Sequence, residues 1–204
     1  MNQAEIIVLA NSVKHGQHCV AGKCVNTGNW IRPVSNVYGA ELSHDQTKYQ
    51  NPYGKFGVKP LQKIRMGLSQ HVPLTHQPEN YLIDGNLWRQ NFSIDKADLL
   101  AHLDMPVDLW GQGNRVQYNL ITTGLHSIDQ SLYLVKVDNL DLYTNNGGKR
   151  RASFYYNRNH YDLAVTDPKF DEILGGHLQV EGILCISLGE EYQGYCYKLV
   201  ATIF

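Results

Sequence analysis

KRRASFYYNRNHYDLAVTDPKFDEILGG, residues 149–176, alternates apolar and polar side chains on both sides of an Asn-Arg-Asn turn. If Arg158-Asn159 is a two-residue turn, Asn157 lies opposite His160 and the strands pair from there. Tyr156 then meets Tyr161, Phe154 meets Leu163 and Ala152 meets Val165 on one apolar face. The other face carries Arg151, Ser153, Tyr155 and Asn157 beside His160, Asp162 and Thr166, as a half-buried hairpin requires. After it Asp167 can cap a short helix, Pro168 suits its first position, and Gly175-Gly176 can end it.

On either side the same texture continues. Residues 132–142, 180–188 and 195–204 also read as strands. Five strands with a helix between the third and fourth is the order of an OB-fold, a small Greek-key barrel.

The first half holds a second meander. In IIVLANSVKHGQHCVAGKCVNTGNWIRPVS, residues 6–35, a short apolar run, a Lys-His-Gly turn, a returning strand and an Asn-Thr-Gly-Asn turn lead into Trp30. The two-residue period puts Trp30, Arg32 and Val34 on one face and Ile31, Pro33 and Ser35 on the other. Pro33 cannot donate to a ladder, which predicts an edge strand or one that leaves its sheet there. Residues 36–60, with three glycines and two prolines, read as a long loop. Residues 61–70 are extended again. HVPLTHQPENYLID, residues 71–84, follows, its two prolines forbidding a helix. Ser93 can cap a helix through Ile94, Ala97, Leu100 and Leu103, with Pro106 just beyond. The reading is mainly β: two OB-like small β-barrels in tandem with short helices. Residues 1–90 form the first barrel with the long loop 36–60, residues 91–119 a helical and loop connector, and residues 120–204 the second barrel.

Composition narrows the function. In 204 residues, 43% hydrophobic and 18% charged side chains are ordinary for a globular protein and suggest neither disorder nor a membrane span. Eighteen basic against nineteen acidic residues leave a formal charge of -1, so any nucleic-acid site must be a local patch. The start MNQAEIIVLANS lacks the basic and longer apolar regions of a signal peptide, which points to the cytoplasm and to reduced thiols at Cys19, Cys24, Cys185 and Cys196.

The stretches VLANSVKHGQHCVAG, WIRPVS, GAEL and HQPENYLID resemble the bacterial dual OB-fold domain family. The matching residues are Asn11, Ser12, Lys14, Cys19, Gly22, Trp30, Arg32, Pro33, Ser35, His76, Gln77, Glu79 and Asn80. The resemblance implies two OB barrels, no established enzymatic activity, and a setting in bacterial conflict or mobile-element systems such as antiphage defence. It implies that these residues matter without assigning their roles.

Several groupings carry possible chemistry. His15, His18, Cys19 and Cys24 fall within ten residues, but His18 and Cys19 are adjacent in a strand and diverge, so no metal site is expected. Neither GxxxxGK[ST] nor a dinucleotide glycine fingerprint is present, and no cofactor is expected. The HQPEN run offers His76, Gln77, Glu79 and Asn80, which can read a base edge or merely cap turns. Lys149, Arg150 and Arg151 run into Phe154, Tyr155 and Tyr156, with Arg158 at the turn. Such a basic and aromatic set can hold a single strand or serve as a solvated edge.

The leading expectation is a non-enzymatic, cytoplasmic protein that binds single-stranded DNA or RNA or a nucleotide. Ser12, Lys14, His15, Lys23, Trp30, Arg32, Ser35, His76, Gln77, Glu79 and Asn80 would serve the first barrel, and Arg150, Arg151, Tyr155 and Arg158 the second. One alternative is a protein-interaction or sensor subunit that docks a neighbouring gene's product. The other is a nucleotide-processing enzyme centred on Ser12, Lys14, Cys19 and His76, whose side chains would then have to line one pocket.

Overall fold

A computed structural model describes residues 2–14 and 16–204, with the backbone alone at Asn2 and Lys14. The chain is mainly β and splits into two compact units, Met1–His102 and Leu103–Phe204.

The first unit contains β1 (Asn2–Lys14), β2 (Gln17–Cys24), β3 (Trp30–Val34), β4 (Lys48–Asn51), β5 (Gly54–Gly57), β6 (Gln62–His71), β7 (Asn80–Ile83) and β8 (Trp88–Ser93). The sheet runs β1-β2-β3-β7-β6 and closes through a β1–β6 pairing, with β3 parallel to β7. This is OB connectivity, and β8, β4 and β5 extend it beyond β6. Ile6, Val8, Val20, Ile31, Ile64, Met66 and Trp88 fill the barrel. At Gly22 the β1 backbone comes so close that a Cβ would stand 2.1 Å from the Ile7 carbonyl oxygen. The register shifts beside it, between Val8 and Ala10.

Three expectations change here. The loop 36–60 contains the β4–β5 hairpin, because Leu42, Tyr49 and Val58 are apolar anchors that reach the core. Pro33 sits inside the sheet and not at an edge: β2 pairs only with Trp30 and Ile31, and β7 takes over from Arg32. Since the Arg32 N–H points at β7, donating to Glu79 O at 2.9 Å, the proline nitrogen faces the side where the β2 ladder has ended. The helix expected after Ser93 is a seven-residue 3-10 segment, Lys96–His102, with only Leu99 buried.

The second unit contains β9 (Arg115–Gln117), α1 (Tyr118–Thr122), β10 (Leu132–Lys136), β11 (Asp138–Thr144), β12 (Arg150–Tyr156), β13 (Asn159–Val165), α2 (Phe170–Leu174), β14 (Ile183–Tyr192) and β15 (Tyr195–Ile203). The order β10-β14-β15-β13-β12-β11 is again OB-like, with β13 parallel to β15 and β9 added beside β15. The strand read over 132–142 divides at Val137, whose N–H donates to Gly182 O and extends the β14 pairing by one residue. Its first half pairs with β14 and its second with β12.

In the hairpin the expected faces hold and the register does not. Tyr156 pairs with Asn159, Tyr155 with His160 and Phe154 with Tyr161. The turn residues are Asn157 and Arg158, at φ 46° and 65°, so Asn157 leaves the strand for the left-handed region that asparagine tolerates. A shift by one residue on each strand preserves parity, and Ala152, Phe154, Tyr156, Tyr161, Leu163 and Val165 all remain in the core. Asp167 acts differently from a simple cap. Its carboxylate accepts from Lys169 N at 2.8 Å and from Ile203 N at 2.7 Å, tying the turn before α2 to β15.

Candidate nucleic-acid interface

OB barrels bind along the outer face of their second and third strands, flanked by the loops that join strands one to two and four to five. In the first unit that face is β2–β3, flanked by the turn after Lys14 and the β6–β7 loop. Lys23 pairs with Trp30 across it, pointing away from the core residues Val20 and Ile31.

This face is closed. Lys23 is 7% exposed, Trp30 5% and Arg32 8%. The Lys23 ammonium lies 5.5 Å from the centre of the Trp30 ring and donates to His102 O at 2.7 Å, so the end of the 3-10 segment reaches across the strands. Arg32 Nε stands 3.4 Å from Glu79 Oε1 in a buried ion pair. His76, Gln77 and Asn80 are buried beside it in sequence, and Asn80 Nδ2 donates to Gln77 Oε1 at 3.3 Å. Ser35 Oγ donates to Ala40 O at 3.3 Å. Arg32 and Glu79, and beside them Asn80 with Gln77, are thus drawn together where β3 meets β7, as a buried polar group.

The remaining first-unit residues are spread more widely. Ser12 is buried and pairs with Cys19 across β1–β2. The Lys14 side chain and His15 lie outside the described residues. His18 Nδ1 is 3.1 Å from Asn11 Oδ1 and its Nε2 is 3.4 Å from His44 Nδ1. Burial, and then His44, lower its pKa. Among the described residues no three His, Cys, Asp or Glu side chains gather.

The equivalent face of the second unit is β12–β13, and it is open. Tyr155 is 44% exposed and tilts against its cross-strand neighbour His160, ring centres 5.1 Å apart. Ser153 Oγ holds His160 Nε2 at 2.8 Å. Arg158 is exposed at the hairpin turn, and Lys149 is exposed in the loop before β12. The other two arginines are engaged. Arg151 donates from Nε to Asp162 Oδ1 at 3.0 Å and from its terminal nitrogen to Asp162 O at 2.6 Å, while Arg150 pairs with Asp171. Tyr143 OH donates to Asp162 Oδ2 at 2.9 Å, which fixes that carboxylate.

Sequence reasoning missed two groups. On β15 and β9, the Arg115 guanidinium lies 3.9 Å from the Tyr195 ring centre and donates to Tyr197 OH at 3.2 Å. On the extended sheet of the first unit, Arg65 and Arg89 are register partners. Neither shows as a motif, because strand pairing unites residues far apart in sequence.

No curated protein matches the chain. Among solved structures, the tetrameric p202 HIN2 is similar over 98% of this chain and 88% of that one, at 10% identity and a TM-score of 0.30. The family model of the dual OB-containing domain matches residues 4–203. The chain, with an OB-ordered sheet in each unit, belongs to the dual OB-containing domain family.

Proposed function

We propose that this protein binds single-stranded nucleic acid, or a nucleotide, without catalysing a reaction on it. One observation carries the reading: the half-exposed Tyr155, supported by His160, stands on the outer β12–β13 face with Arg158 and Lys149 on its borders. Aromatic faces stack bases and flanking cations fix phosphates. Arg150 and Arg151 act here as ordering residues, through Asp171 and Asp162. In the first barrel, Lys23, Trp30, Arg32 and the HQPEN residues would shape the barrel wall and its β6–β7 loop. A cytoplasmic setting, in a bacterial defence system, completes the proposal. It is supported by the family resemblance. No helix among the described residues is long and apolar enough to cross a membrane.

The test is anisotropy of a labelled single-stranded oligonucleotide titrated with the full chain. Saturable binding that weakens with salt supports the proposal, and no binding at any salt concentration contradicts it.

A second reading, docking of a protein partner, is favoured by Met105 and Val107, which are 92% and 87% exposed. They flank Pro106, whose carbonyl accepts from Tyr156 OH at 2.8 Å and Asn157 Nδ2 at 3.0 Å. The backbone there is held while two apolar side chains face solvent. Met105→Ser/Val107→Ser should abolish co-purification of a neighbouring gene's product if that surface docks it.

A further inference from the structure

The first barrel's closed β2–β3 face leaves its extended sheet as the place where it meets solvent with charge. On β6, Lys63 and Arg65 alternate with the core residues Ile64 and Met66 and point outward. Strand pairing places Lys63 opposite Phe92 and Arg65 opposite Arg89. The second row continues across the sheet, with Glu5 on β1, Arg65 on β6, Arg89 on β8, Gln50 on β4 and Lys55 on β5 as successive partners. Its only carboxylate is Glu5, 3.9 Å from Arg65. Two arginines directly opposite each other repel, and an anion seated between them relieves that repulsion.

Hollows adjoin the arginine pair. One of about 390 Å³ is lined by Gln3, Arg65, Asp84, Asn86 and Arg89 among others. Its floor is shaped by Gly67, where a Cβ would stand 1.8 Å from an Asp84 oxygen. Glycine there admits the carboxylate, which accepts from Asn86 N at 2.9 Å and Asn86 Nδ2 at 2.7 Å. The second hollow, about 510 Å³, shares Gln50 and Arg89 and ends at Phe92, which is 73% exposed. Along the strands the order is therefore aromatic ring, arginine pair, then amide and carboxylate groups.

We propose that this surface binds a dinucleotide step of a single strand. The phosphodiester sits on Arg65 and Arg89, one base stacks on Phe92, and the next nucleoside enters the Asp84–Asn86 hollow. There the carboxylate and amide can meet base-edge or sugar hydroxyl groups. The proposal rests on the single-strand reading above and adds a second site on the other unit.

The test is anisotropy of a labelled single-stranded 12-mer with the full chain at 50 and 200 mM salt. Arg65→Gln/Arg89→Gln should weaken binding about tenfold and make the log-log salt slope about 0.7 to 1.4 less negative. Arg65→Lys/Arg89→Lys should retain most of the slope, and Phe92→Ala should lose affinity with the slope unchanged. Both arginines are exposed, so the melting temperature of the glutamine variant should match that of the wild type. If that variant binds like wild type while Tyr155→Ala/Arg158→Ala loses affinity, this site is overturned and the second-barrel reading stands. If the glutamine variant loses affinity while Tyr155→Ala/Arg158→Ala binds like wild type, this site is supported and the second-barrel face is not. Absence of wild-type binding overturns both.

Discussion

The outer faces of β2–β3 and β12–β13 occupy equivalent places in the two barrels and carry similar side chains, yet one is sealed and the other open. Lys23, Trp30 and Arg32 are each less than a tenth exposed, while Tyr155 is 44% exposed. The difference lies in what reaches each face. His102 and Glu79 engage the cations of the first, while on the second Asp162, held by Tyr143, engages Arg151 and Ser153 holds His160. An aromatic near a cation is buried in one barrel and nearly half-exposed in the other.

The most damaging way to probe this contrast is to cut into the sealed face. Trp30→Ala should destabilise the protein by about 3–5 kcal/mol, as large-to-small changes of a buried aromatic do. Glu79→Gln should cost a similar amount, about 3–5 kcal/mol, by leaving Arg32 charged and buried without its carboxylate. Denaturant unfolding measures both. A loss near zero for Trp30→Ala would make its face open after all.

The buried cation of the second barrel sharpens the contrast next. Lys198 is 1% exposed and donates to the carbonyls of Gly111, Gln112 and Gly113 at 2.6, 3.2 and 2.9 Å. Lys198→Met should cost about 1–3 kcal/mol by stranding these acceptors. Burial lowers the Lys198 pKa from 10.5 to about 8, with Asp108 opposing the shift. Between those values the unfolded chain binds the extra proton, so this residue's contribution is complete above 10.5 and is lost as pH falls through about 8. Across that range the stability of the wild type relative to the Met variant should rise with pH in paired unfolding curves.

Smaller effects belong to the open face. Tyr155→Ala should change stability by less than about 0.5 kcal/mol and weaken single-strand binding about tenfold. Asp162→Asn, at a pair whose side chains are 18% and 39% exposed, should cost under about 1 kcal/mol. A larger loss there would show that this face is also built for stability.

Much of the fold was legible because strand alternation is local. The order of strands and helix after residue 132, and the inward set from Ala152 to Val165, follow from period-two patterning. The errors sit where one residue chose between local options. Asn157 took a left-handed turn conformation, and the strand read over 132–142 changes partner after Val137 with neither glycine nor proline to mark it. The β4–β5 hairpin hid among glycines and prolines because Leu42, Tyr49 and Val58 are too sparse to show a period. The site was less legible, since exposure depends on tertiary cover. Trp30 and Tyr155 look alike in sequence, and tertiary cover such as His102 on Lys23 and Glu79 on Arg32 marks the first face as closed. Arg65 and Arg89 share no pattern until β6 and β8 pair.

The central claim is that the open face of the second barrel holds a single strand. Its most direct test compares wild type and Tyr155→Ala for oligonucleotide binding across a salt series. With three or four phosphates neutralised, the wild-type log-log slope should be about -2 to -3. Tyr155→Ala should bind about tenfold more weakly with the same slope, because stacking carries no charge. A flat wild-type salt response, or a Tyr155→Ala curve that overlays the wild type, would contradict the account.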